Sequence, residues 1–187
     1  MAEIKSLRPE LLTDYLAFFD REAFTDNPDW AGCYCNFYLA NHHVKPWVER
    51  TAQENRRDIS LRIQQNRMHG YLAYEEGKVI GWCHAAPITQ IPILHDPDDS
   101  LASRSGAIVC FIVAPGKRQL GIARELLQAA VDGLQEQGLA YAIAYPRTDA
   151  KKASQNYHGP LSMYLSAGFE IVKEEEGLVV VRKPLSK

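Results

Sequence analysis

The sequence predicts a single α/β domain built on a mixed β-sheet, and three observations carry that reading. Residues 107–113 form an unbroken apolar run, the pattern of a strand buried on both faces, and it stops at Ala114-Pro115-Gly116. Ala123, Leu126, Leu127, Ala130, Val131 and Leu134 then recur at helical spacing along one face. A second apolar strand follows at 139–145 and is closed by Pro146. Strand, helix and strand make a central crossover, with further strands and helices on either side.

Residues 3–7 read as a short strand. Pro9 suits the first turn of a helix, where its missing N–H is not needed, and Leu12, Tyr15, Leu16 and Phe19 give that helix its apolar stripe. Residues 26–47 are irregular and aromatic-rich, with Trp30, Tyr34, Phe37, Tyr38 and Trp47. Pro46 opens a second, mostly polar helix to about Met68, a helix that packs by one narrow stripe. Residues 69–74 and 79–85 form a hairpin, with Gly77 supplying positive φ in its turn. Pro87, Pro92 and Pro97, followed by Asp98-Asp99, mark 87–104 as a loop. Gly138 caps the long central helix at its C-terminus. Residues 160–167 make a short helix with Pro160 at its start and Gly168 just past its end, and 169–173 with 178–183 form the last hairpin.

At 187 residues the chain has the length of one ordinary domain, and no repeat or Pro/Gly/Ser-rich linker divides it. Hydrophobic residues at 46% and charged ones at 24% place it among folded globular proteins. Lys and Arg total 21 against 23 Asp and Glu, a formal charge of −2, so the basic excess expected of a nucleic-acid binder is missing. No stretch approaches the ~20 apolar residues of a membrane span, and the opening MAEIKSLRPE lacks the apolar core of a signal peptide. Four cysteines do not make a disulfide framework, which points to a reducing, cytoplasmic setting.

The chemistry concentrates at the turn after the first buried strand, Arg118-Gln-Leu-Gly121-Ile-Ala123. The first N–H groups of a helix lack intrahelical acceptors and sit at the positive end of its dipole. Gly121 and Ala123 let a diphosphate approach that backbone and Arg118 adds charge, so the turn reads as an anion cradle. Its R-x-x-G-x-A spacing is neither the P-loop pattern nor the dinucleotide pattern. It resembles motif A of the GCN5-related N-acetyltransferases (GNAT), [QR]-x-x-G-x-[GA]. A second match stands downstream, Tyr164-Leu-Ser-Ala-Gly168-Phe169, which looks like the family's Y-x-x-x-G-F. The strand order fits the family fold over nearly the whole chain.

The resemblance implies the GNAT acyl-CoA N-acyltransferase fold, acetyl-CoA as the cofactor, and transfer of its acetyl group to an amine of a small-molecule or peptide acceptor by direct attack. It implies that Arg118, Gln119, Leu120, Gly121, Ile122, Ala123 and Arg124 hold the pyrophosphate of coenzyme A. Phe111, Ile112 and Val113 would pair their backbone with the pantetheine arm between two splayed strands. Asn156 stands near the family's asparagine, one residue further from the tyrosine than usual, before an insertion-like Tyr157-His158-Gly159-Pro160. Tyr164 would lie beside the acyl sulfur and donate a hydrogen bond to the departing thiolate. Homodimers are common among relatives, so one is a further implication. Many members carry a glutamate in the strand corresponding to 107–113, but no carboxylate stands there. The base is then His84 on the preceding strand, Asp98, Asp99 or a water chain.

Cys33-x-Cys35 would present both thiols on one side if it lay on a strand, with His42 and His43 nearby. The spacing is not that of a structural zinc site, and free cysteine is commonly a small buried hydrophobe, so no metal is predicted. Any of Cys33, Cys35, Cys83 or Cys110 could in principle accept the acetyl group, but nothing nearby in the sequence depresses a thiol pKa. The aromatic cluster at 30–47 with Trp82 is either core or acceptor pocket. Lys151-Lys152 is a solvated loop pair or a contact for the 3′-phosphate of coenzyme A. The alternative to an enzyme is a degenerate member that binds coenzyme A as a sensor or partner-binding module; a metal-binding regulator built on the cysteine pair is a third reading.

Overall fold

Seven strands form one sheet in the order β1-β2-β3-β4-β5-β7-β6. They are β1 (Glu3–Ser6), β2 (Gly70–Glu75), β3 (Lys78–Pro87), β4 (Ser105–Val113), β5 (Tyr141–Ala144), β6 (Glu170–Glu175) and β7 (Leu178–Pro184). The helices are α1 (Leu12–Arg21), α2 (Ala52–Gln64), α3 (Ile122–Glu136) and α4 (Leu161–Ser166). The computed structural model describes residues 1–149 and 156–185, so Lys151-Lys152 lies outside the described residues. No helix among the described residues is long and apolar enough to cross a membrane.

The strands from β1 to β4 are antiparallel, β4 and β5 are parallel, and β7 and β6 continue antiparallel. One core lies on the α1/α2 face, with Tyr15, Phe18, Ile59, Ile63, Trp82 and Ile112. The other lies on the α3/α4 face, with Ile80, Phe111, Leu126, Leu127 and Tyr164. α3 packs close: a Cβ on Gly133 would stand 1.6 Å from the Tyr71 hydroxyl oxygen, so any larger residue there would push the Tyr71 side chain aside.

The predicted helix from Pro46 to Met68 divides. Trp47–Glu49 is a single 3-10 turn, Arg50 is extended, and α2 begins only after Thr51. Thr51 and Glu54 form a capping box, in which the Glu54 N–H donates to the Thr51 hydroxyl at 3.2 Å and the Thr51 N–H donates to the Glu54 carboxylate at 2.8 Å. β5 is shorter than predicted because Ala140 still belongs to the entry turn, its N–H donating to Arg104 C=O at 2.8 Å. Cys33 and Cys35 lie on consecutive turns rather than on a strand, since Tyr34 and Cys35 both take left-handed backbone.

Two irregularities in β4 shape the space on either side of it. His84 pairs with Cys110 but the next residue, Ala85, pairs with Ile108, so Val109 is an extra residue, a bulge. Val109 and Cys110 consequently both face the α1/α2 core, while Ile108 and Phe111 face the other. The parallel pairing of β4 with β5 ends at Ile108 and Ala144, although β4 runs on to Val113. The β4 edge from 109 to 113 is therefore free of β5, and the Phe111 N–H on it donates to Tyr157 C=O at 2.6 Å.

Candidate active site

A cavity of about 600 Å³ opens where that free edge meets the start of α3. Phe111, Ile112 and Val113 line it from β4, and Asn156 lines it from the facing segment. Arg118, Gln119, Gly121, Ile122, Ala123 and Arg124 line it from the turn and the start of α3. Leu120 is the member of the predicted turn that does not line it, being 63% exposed.

Gly121 is the N-cap of α3 at φ 88, a left-handed conformation that favours glycine, and no side chain caps the helix there. Gln119 is also left-handed, at φ 64. The tight turn aims the uncapped first amides of a 15-residue helix at the cavity. Arg118 Nε donates to Val113 C=O at 3.1 Å, and its guanidinium forms a fork with Asp26, with Nη2 to Oδ1 at 3.1 Å. That fork holds the Asp26 carboxyl below its ordinary pKa. Lys117 is paired with Glu75, whereas Arg124 makes no ion pair among the described residues. An open helix N-terminus, one uncommitted guanidinium and one exchangeable one suit a diphosphate.

A second cavity of about 600 Å³ lies on the α1/α2 side of β4. Its walls are aromatic (Trp30, Phe37, Tyr38, Trp47) and it holds Cys33, Cys35 and Cys110. Phe24, Trp30, Ile112 and Tyr157 line both cavities, so the two chambers adjoin at these side chains. The turn carrying Cys35 is anchored from behind. Tyr15 Oη donates to Tyr34 C=O at 2.9 Å, Asn36 Nδ2 to Asn55 Oδ1 at 3.1 Å, and Asn55 Nδ2 to Gly32 C=O at 2.8 Å. Arg50 Nε donates to the same Asn55 oxygen at 2.7 Å while its guanidinium pairs with Asp58.

The two predicted catalytic side chains stand behind the walls. Tyr164 is fully buried, lines neither cavity, and its hydroxyl donates to His158 C=O at 2.5 Å. Burial pushes its phenol pKa well above the ordinary value. His84 is also fully buried and lines neither cavity; its Nδ1 stands 3.7 Å from Cys35 Sγ, and Nε2 has no hydrogen-bond partner among the described residues. Asp98 and Asp99 are exposed and line neither cavity. His42 turns to the Phe37 carbonyl, at 2.7 Å. Among the described residues no group of three or more His, Cys, Asp and Glu side chains could hold a metal ion.

Sequence reasoning did not single out Tyr157, which lines both chambers, or Asp26, which meets Arg118. The insertion-like position of Tyr157 beside Asn156 was the available signal for the first. A contact between residues 92 positions apart leaves none for the second.

The model of the acetyltransferase (GNAT) family matches residues 6–159. No curated protein matches the chain. Among solved structures, the chain is similar to an N-acetyltransferase from Staphylococcus aureus Mu50, at 17% identity and TM-score 0.59, over 100% of this chain and 99% of that one. It is similar to the PaiA N-acetyltransferase of Thermoplasma acidophilum, solved in complex with coenzyme A, at 17% identity and TM-score 0.58, over 98% and 99%. It is also similar to the GNAT domain of S. lividans PAT, at 15% identity and TM-score 0.63, over 98% and 90%. At these identities the likeness is one of fold.

Proposed function

Because the chain belongs to the GNAT acetyltransferase family, we propose that it is an N-acetyltransferase, one domain that moves an acetyl group from acetyl-CoA to an amine of a small molecule or peptide. The observation that carries this reading is the junction of two chambers. One has an uncapped helix N-terminus and an open strand edge, the other is aromatic, and they share Ile112 and Tyr157. The coenzyme A complex of the Thermoplasma relative supports the choice of cofactor. Four free thiols suit a cytoplasmic setting.

Acetyl-CoA supplies an acetyl group activated as a thioester. The first amides of α3 and Arg124 hold its diphosphate, and Arg118 joins them by exchanging Asp26 for phosphate oxygens. Phe111, Ile112, Val113 and Asn156 hold the pantetheine arm along the β4 edge that β5 leaves, the Phe111 N–H exchanging its Tyr157 carbonyl partner for the arm. The aromatic chamber holds the acceptor, whose nitrogen attacks directly across Ile112. A lysine-like amine has a pKa of ~10.4, so presenting it neutral at pH 7 costs about 4.6 kcal/mol. The aromatic walls of the chamber lower that cost by disfavouring the ammonium form, and Asp29, which also lines it, offsets part of the gain.

Tyr164 donates to the sulfur that leaves. A phenol near pKa ~10 is a weaker acid than a thiol near ~8.5, so complete transfer is uphill by about 2 kcal/mol. Burial of Tyr164 steepens that slope, so its contribution is a hydrogen bond rather than a proton. From its place behind the cavity wall the hydroxyl reaches the sulfur only if the His158 segment shifts, and it then exchanges the neutral His158 carbonyl for a developing anion, the stronger acceptor.

The test is release of free coenzyme A thiol from acetyl-CoA across a panel of aromatic monoamines, polyamines and peptide α-amines. Amine-dependent release with a matching acetylated product is expected. A protein that binds acetyl-CoA and turns over with none of them contradicts the reading.

A further inference from the structure

Cys35 stands apart from the other three cysteines. It sits on a turn where two successive non-glycine residues, Tyr34 and Cys35, take left-handed φ of 47 and 54. Each such residue costs about 1 kcal/mol or more, and strain of this kind persists where the surroundings over-determine it. Here they do: Tyr15 from α1, Asn55 from α2 and Asn36 from beside the turn hold it through their hydrogen bonds, and Arg50, just before α2, fixes Asn55 in turn. The turn brings Cys35 to the lining of the aromatic chamber, although the residue is only 4% exposed and its sulfur is directed toward the buried His84.

Three further observations converge on that sulfur. The bulge at Val109 turns Cys110 and Ile112 to the same chamber, and Ile112 belongs to the cofactor chamber as well. His84 Nδ1 lies 3.7 Å away, within the reach of a weak S–H hydrogen bond, and no group among the described residues takes up its Nε2. Burial raises the Cys35 thiol, but hydrogen bonds with Cys110 and His84 and the charge of His84 outweigh it and hold the thiol low. Cys33 is instead pushed up to about 12, first by burial, and Cys83 and Cys110 are also pushed well up. Among the four, Cys35 has the nucleophile's surroundings, a thiol beside a histidine on a strained turn facing a cavity.

We propose that Cys35 is an acyl acceptor, taking the acetyl group of bound acetyl-CoA when no amine fills the aromatic chamber and holding it there as a thioester. The inference rests on the proposed binding of acetyl-CoA. The Cys35 thiol proton passes to His84 Nδ1, and Sγ forms a bond to the acetyl carbonyl carbon. The bond from that carbon to the coenzyme A sulfur breaks, and its electron pair leaves with that sulfur. His84 returns the proton to it. The products are S-acetyl-Cys35 and free coenzyme A thiol, with nothing oxidised or reduced.

The experiment incubates the full chain with acetyl-CoA and no amine, then reads free thiol, peptide mass and thermal stability on the same samples. One equivalent of thiol is expected, with the mass of one acetyl group on the peptide carrying Cys33 and Cys35, removable by neutral hydroxylamine. The adduct is expected to persist in Cys33→Ala and to vanish in Cys35→Ser, a near-isosteric change. Acetyl-CoA is still expected to raise the melting temperature of Cys35→Ser, which shows that the variant is folded. His84→Asn is expected to slow adduct formation by roughly a hundredfold, the low end of acid–base catalysis. A wild-type protein stabilised by acetyl-CoA yet free of adduct overturns the role of Cys35, as does an adduct on Cys33 or a lysine. Absence of both stabilisation and adduct overturns the acetyl-CoA reading together with it.

Discussion

His158 and Tyr164 meet through one hydrogen bond, and each supports a prediction of its own. His158 is 4% exposed, and burial, with help from the charge of Arg147, pushes its pKa down from 6.5 to about 4. Between those values the unfolded chain binds a proton that the folded chain refuses. Stability is therefore whole above about pH 6.5 and falls as pH drops toward 4, by up to ~3 kcal/mol at 1.36 kcal/mol per unit. Chemical denaturation at pH 7 and pH 5 measures the loss, and His158→Gln should flatten it; an equal loss in the variant removes His158 as the cause. Tyr164→Phe should slow kcat by roughly ten- to a thousandfold, at or below the usual range for acid–base groups, with acetyl-CoA binding kept. Unchanged kcat in that variant removes Tyr164 from the chemistry.

At the scale of elements, α3 joins the first chamber to the sheet, and its fit depends on an absence of side chain. Alanine in place of glycine ordinarily favours a helix by about 1 kcal/mol. At Gly133 the sign should reverse, because the added Cβ would overlap the Tyr71 hydroxyl. Gly133→Ala should therefore lower stability by about 1–3 kcal/mol, read from urea denaturation. A stabilised Gly133→Ala protein would mean that β2 and α3 pack loosely enough to admit a methyl group. α3 was legible in the sequence because one face repeats at 3.6 residues, whereas the left-handed backbone at Gly121 was not, because the glycine there reads only as room for a diphosphate. The bulge at Val109 was not legible, since an unbroken apolar strand contains no alternation from which to read register. Without it Cys110 and Ile112 would face α3, and the aromatic chamber would have a different floor. The turn at Cys35 was hidden for another reason: Tyr and Cys announce no left-handed backbone, and what enforces it comes from α1 and α2, far away in sequence. The start of α2 was misplaced because Pro46 is an acceptable first helical residue, while the capping box at Thr51 and Glu54 decides the boundary.

For the whole molecule, the central claim is that the chamber at the head of α3 holds acetyl-CoA. Its charge balance makes the claim specific, because Arg118 is already bound to Asp26 while Arg124 has no ionic partner among the described residues. Arg124→Ala should leave the stability of the free protein within about 0.5 kcal/mol of wild type, as expected of an exposed side chain without a structural contact. The most direct measurement is thermal unfolding with and without acetyl-CoA, in wild type, Arg118→Ala and Arg124→Ala. At about 100 times Kd a real site stabilises the fold by ~2.7 kcal/mol, a rise of roughly 5–10 °C for a chain of this size. That rise in wild type, diminished in both variants, is the predicted result; an unmoved melting temperature at millimolar acetyl-CoA would contradict the account.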